Sequence, residues 1–184
     1  MHLKLVFTVG MLSVLVACGG NSTDKKAEKP TKEQLVQEVK SFEDSIKKRL
    51  VPEGNKTVMA YSDKCLAVYR NYPKSKEAPA YLDKAHIILS GSGYHNLAVL
   101  YADTLIRKYP LYDNRPMVLQ SLASAYDMFI IPRKKELVIK YYKLLLKENP
   151  KMPKEERENI EFRLKHIDKT FDELIEMQVS KANS

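Results

Sequence analysis

The chain has 184 residues, 31 Lys and Arg against 23 Asp and Glu, and a formal net charge of +8. That length builds one domain or one short array, and two cysteines exclude a disulfide framework. A positive balance suits anionic lipid, an acidic protein surface or nucleic acid. With no Trp, few Gly and abundant Leu, Ala, Lys and Glu, the composition favours helix.

The first segment reads as a leader. Lys4 precedes an apolar run starting near Leu5 and broken by Thr8, Gly10 and Ser13. The run is too short for a spanning helix, which needs about 20 apolar residues. It closes on Leu15-Val16-Ala17-Cys18, which resembles the lipobox of bacterial lipoproteins. The resemblance implies cleavage before Cys18, acylation of its sulfur and amine by palmitate-type chains, and a membrane anchor. The alternative is an ordinary signal peptide with an incidental cysteine. Residues 1–17 are therefore set apart as signal peptide. One acyl chain holds a protein marginally, whereas several anchor it firmly. By the lipoprotein resemblance, Gly19 rather than Asp after the cysteine implies sorting to the outer membrane. Residues 18–30 read as a tether, with Lys25, Lys26 and Lys29 near the anchor. An exported lipoprotein makes nucleic acid an unsuitable partner and leaves lipid headgroups or a protein surface.

From Thr31 onward the apolar pattern is helical. Leu35, Val39, Phe42 and Ile46 form one stripe, and Thr31 with Gln34 is a capping-box pattern. Val51-Pro52-Glu53-Gly54-Asn55 breaks this helix, and Val58, Tyr61, Cys65, Val68 and Tyr69 form the next stripe. Cys65 reads as a small core hydrophobe. Three helices end alike, at Asn71-Tyr72-Pro73, Lys108-Tyr109-Pro110 and Glu148-Asn149-Pro150, because proline opposes continuation of a helix. Pro73 to Pro110 is 37 residues and Pro110 to Pro150 is 40. Such a period signals stacked helical hairpins.

These features resemble the tetratricopeptide repeat (TPR) family, whose unit is a helix–turn–helix with small residues at the helix contact and a terminal Pro. The second unit supplies Tyr81, Ala85 and Ile88, then Ala98, Ala102, Leu105 and Pro110. The third supplies Leu119, Leu122, Ala123 and Tyr126, then Val138, Tyr142, Leu145 and Pro150. Val138 stands where the family has Ala, the Met128–Lys135 connection is long, and the first unit is the most degenerate. The expected fold is all-α: about three TPR-like hairpins over 31–152 and a C-terminal capping helix with a frayed tail over 153–184. That last helix opens at Pro153 and runs one stripe through Ile160, Leu164, Ile167, Phe171 and Leu174. This stripe would cover the exposed apolar face of the third unit, the terminal cap such arrays require; the alternative use is coiled-coil dimerisation.

The histidines of the mature chain, His86, His95 and His166, stand far apart, and no HExxH, CxxC, phosphate loop or GxSxG occurs. The expectation is therefore a non-enzyme, with no catalytic residue, metal or cofactor. By the TPR resemblance the first helices line a concave groove. His86, Gln120, Ser124 and Asp127, with Leu82 and Met117, point into it as partner-binding residues. The lining lacks the Lys, Arg and Asn ring with which TPR adaptors clamp a C-terminal carboxylate. The functional expectation is a monomeric scaffold, anchored through Cys18 to the outer membrane and facing the periplasm. It would bind an envelope protein in outer-membrane assembly or envelope maintenance. A glycan- or lipid-binding groove is the alternative.

Overall fold

The computed structural model describes residues 29–182. The signal segment, Cys18 and most of the tether lie outside the described residues, as do Asn183 and Ser184. The described chain is all-helical, in the order α1 (Lys32–Lys47), α2 (Asn55–Asn71), α3 (Ala78–Gly91), α4 (His95–Lys108), α5 (Arg115–Ser124), α6 (Lys135–Glu148), α7 (Lys154–Lys165) and α8 (Phe171–Ala182). Successive helices α1 to α7 pack on one another as stacked hairpins.

Local chemistry sets the boundaries. Thr31 and Gln34 form the expected capping box: the Gln34 amide donates to Thr31 Oγ1 at 3.2 Å, and the Thr31 amide donates to Gln34 Oε1 at 2.7 Å. Gly54 caps α2 at φ 125°, a backbone conformation that only glycine adopts without strain. Helices α2, α4 and α6 stop at Asn71, Lys108 and Glu148, just before the three expected proline punctuations.

The small residues lie in the core. Ala85, Ala98, Ala102 and Ala123 are buried with Leu82, Leu105, Leu119 and Leu122, and side chains of that size let helix backbones approach closely. Cys65 is buried in the same core, and burial pushes its thiol up to about 12, leaving it unreactive at neutral pH.

Tyrosines join the units. The Tyr72 hydroxyl donates to the Pro30 carbonyl at 2.7 Å and that of Tyr109 to the Pro73 carbonyl at 2.6 Å. Each Tyr-Pro terminus thus bonds to the chain entering its own unit. At the third terminus Asn149 replaces tyrosine and turns inward, donating to the Leu145 carbonyl at 2.9 Å. Tyr141 stacks on Tyr126 and donates to Asp103 at 2.7 Å, linking α6 to α4. Apolar ring inside and hydroxyl at a partner is the arrangement that a half-buried tyrosine favours.

Two departures concern the C-terminal half. The long connection after α5 contains a π-helical turn, Ala125–Phe129, that continues α5 before the loop to α6. The single helix expected from Pro153 is two. Thr170 starts a new helix: its hydroxyl accepts from the Glu173 amide at 3.2 Å, and its own amide donates to the Glu173 carboxylate at 2.5 Å. Arg163 holds the intervening turn by donating to the carbonyls of His166 and Lys169 at 2.8 and 2.9 Å. The stripe read as continuous is therefore divided: Ile160 is buried on α7 and Leu174 on α8.

Candidate functional site: a groove along α3, α5 and α7

Three hollows follow one another along the face formed by α3, α5 and α7. The first, about 360 Å³, lies between α3 and α5 over His86, Ile87, Ser90, Met117 and Ser121. The second, about 460 Å³, lies between Met117 and the α6–α7 turn at Pro150, Met152 and Pro153. The third, about 660 Å³, is lined by Gln120, Ser124, Tyr142, Ile160, Phe162 and the α8 residues Phe171, Leu174 and Ile175. Met117 borders the first two, and Pro153 and Glu156 border the last two. The three hollows therefore form one track.

Exposed apolar side chains give the track its character. Ile87 is 56% exposed and Met117 60%. Water contact at these side chains is unfavourable, so covering them with a partner would be a gain.

Of the expected groove residues, Gln120, Ser124 and Asp127 do come together, around the third hollow, and His86 borders the first. Met117 is exposed in the track, as expected, but Leu82 is fully buried and faces the core instead. Two others differ from free groove side chains. His86 is buried between Asp83 and Ser121: Nδ1 lies 3.1 Å from Asp83 Oδ1 and Nε2 lies 2.9 Å from Ser121 Oγ. Asp127 accepts from Arg133 Nε at 2.7 Å and from Arg163 Nε and Nη2 at 2.5 and 2.7 Å. Both are committed to the fold, so their exchange would damage it rather than spare it. The physical reason is the same in each case. A polar group withdrawn from water at a helix contact must find protein partners.

The Asp83–His86–Ser121 chain was invisible in sequence because Ser121 is 35 residues from His86. Only the i, i+3 spacing of Asp83 and His86 on α3 gave a signal. Burial opposes ionisation of Asp83. Hydrogen bonds from His86, Asn114 and Tyr112 outweigh it and hold the carboxyl below its usual 3.8. Asn114 and Tyr112 donate to its second oxygen at 2.7 and 3.0 Å. An ionised Asp83 favours the proton on Nδ1 of His86, leaving Nε2 to accept from the Ser121 hydroxyl. That polarity is the one used to activate a serine nucleophile. Ser121, however, stands in the second turn of α5, past the first four residues whose amides lack an intrahelical partner. The helical ladder uses the amides around it, so among the described residues they offer no donor pair to a developing oxyanion. The chain ties α3 to α5 as a buried polar clamp.

No family model, no curated protein and no solved structure matches this chain.

Arg163 and α8 are the groove components that sequence reasoning missed. Arg163 carries no motif in the sequence, yet it is buried and reaches Asp127 across 36 residues. The signal for α8 was present in Thr170 and Glu173, a second capping box.

Proposed function

We propose that this protein is a lipid-anchored, TPR-like scaffold of a bacterial envelope, which binds a protein partner along the α3–α5–α7 groove. The observation that carries the reading is the continuous track with exposed Ile87 and Met117 on its floor. Grooves between stacked helical hairpins are binding surfaces because they present residues of several rigid units at once. The Leu15-Val16-Ala17-Cys18 pattern supports anchoring at the outer membrane, and the geometry around Ser121 supports binding over catalysis.

The binding test uses residues that the fold does not need. Ile87→Lys, Met117→Lys and Gln120→Arg combined should leave the circular dichroism spectrum and melting close to the parent. Partners crosslinked in native envelope membranes should diminish. Unchanged recovery of the same partners would place binding elsewhere. For the anchor, Cys18→Ser should stop incorporation of labelled fatty acid and release the protein from the membrane pellet. A serine variant that stays in the pellet after a salt wash, with no label on the parent, would sink that part of the reading.

A further inference from the structure

We infer that the third hollow is a seat for a basic amphipathic helix of the partner, and that α8 occupies this seat as a loose internal substitute. The inference rests on the groove reading above and names the kind of partner that the groove takes.

The occupant's shape is shown by α8 itself. Phe171, Leu174 and Ile175 border the hollow, an i, i+3, i+4 set that lies on one helix face. Opposite them stand Ile160, Phe162 and Tyr142. A helix laid with its apolar face into a hydrophobic groove is a recurring recognition mode.

The fit of α8 is incomplete. Among its described side chains only Leu174 is buried. Phe171, Ile175 and Val179 remain 49%, 46% and 55% exposed, and the hollow beneath keeps about 660 Å³. The base of α8 is fixed, since Arg163 grips the His166–Thr170 turn. Along the described side chains of its length, Leu174 is buried and Met177 half-buried. An element with so few buried contacts opens at low free-energy cost.

Charge selects the partner's sign. The hollow is bordered by Asp127, Glu155 and Glu156 against Arg163 alone. Asp127 is neutralised by Arg163 and Arg133. The ion pairs within α7 use Glu158 and Glu161, leaving Glu155 and Glu156 at the rim. Residues 171–180 of α8 bring Asp172, Glu173 and Glu176 and not one Lys or Arg. A helix of the same apolar pattern with Lys or Arg beside the stripe complements this rim, whereas α8 does not.

The test uses the full-length protein and two labelled synthetic peptides of residues 170–182, read by fluorescence anisotropy. One peptide has the native sequence; the other carries Asp172→Lys and Glu176→Lys. The basic peptide should bind more tightly than the native one, and the preference should shrink in a Glu155→Gln, Glu156→Gln protein and at raised salt. Opening the seat by Leu174→Ala should tighten basic-peptide binding about tenfold, because an occupied site lowers apparent affinity by its open fraction. Phe171→Ala with Ile175→Ala provides a second way to loosen α8 from half-exposed positions, should Leu174→Ala disturb the fold. Equal binding of the two peptides, or none in either loosened variant, overturns the inference. So does concentration-dependent dimerisation of the loosened variants without peptide binding, which would make a second copy the occupant. The two readings fail separately. If Ile87, Met117 and Gln120 govern partner capture while the basic peptide does not bind, the groove stands and the helical partner falls. If the peptide binds while capture ignores those residues, the seat stands and the groove-wide reading falls.

Discussion

Between α3 and α5 the stack closes on small and branched apolar side chains, with Ala85, Val118 and Leu122 buried and one hydrogen-bonded polar chain, Asp83–His86–Ser121. Between α5 and α7 an ion cluster joins the buried Ile160. Asp127, carried on the π-helical turn, is gripped by Arg163 of α7 and Arg133 of the loop. Beyond it, α8 hangs on a single buried leucine. The contrast teaches where such an array can afford to move. Apolar interdigitation spreads its stabilisation over many contacts, whereas a buried ion cluster concentrates it in a few groups whose loss is severe. The cap is therefore firm at Arg163 and loose immediately after it.

The comparison breaks most visibly by truncation. Ending the chain at Pro153 removes Ile160 and Arg163 and leaves Asp127 with Arg133 alone. The expected loss is at least the about 3–5 kcal/mol that follows removal of one partner from a buried ion pair. Ending it after Lys169 keeps α7 and the gripped turn and should spare most of that stability. Urea unfolding of the two truncations measures the difference. Equal losses would make α7 and α8 one cap rather than a firm and a loose part.

A point change isolates the charge. Arg163→Met keeps the bulk and removes the grip, with an expected cost of about 3 kcal/mol in urea unfolding. Proteolysis should also cut the His166–Thr170 turn faster. A variant as stable as the parent would show that Arg133 suffices for Asp127.

The apolar region responds to volume. Ala102→Leu or Ala85→Leu should cost about 1–3 kcal/mol by overpacking. Gln120→Leu, at the groove surface, should stay within about 0.5 kcal/mol. Thermal melts compare the three directly, and a harmless Ala102→Leu would mean the helices are not in close approach there. Smaller again is Tyr109→Phe, which loses the bond to Pro73 and should cost about 1 kcal/mol.

Acid unfolding should register Asp83. The Asp83 carboxyl is held below 3.8 in the fold, so the unfolded chain takes up its proton first as pH falls. The stability it contributes is present above that value and is lost as pH drops through its folded value. Asp83→Asn should lower the urea midpoint at neutral pH and flatten its decline below about pH 4. An unchanged acid slope would remove Asp83 from the acid response.

Much of this architecture was legible along the chain. Tyr72-Pro73, Tyr109-Pro110 and Asn149-Pro150 marked helix ends because a proline ring acts on its immediate neighbours. The alanines marked helix contacts because size decides how near two axes come. The groove residues were legible only in part. Gln120 and Ser124 could be placed from helical spacing, but the same reasoning could not tell that His86 and Asp127 were already engaged. Leu82 shows the same limit, since one turn of helix separates the groove from the core.

The amino-acid sequence by itself determined the all-helical class, the unit length and the capped starts at Thr31 and Thr170, since backbone sterics and short-range hydrogen bonds act within a few residues. Tertiary structure alone decided that Ser121 meets His86, that Arg163 meets Asp127, and that α8 turns back over the groove. Those pairings join residues more than 30 positions apart. Which polar groups face each other over such distances depends on how the hairpins stack, and helical periodicity carries no record of it.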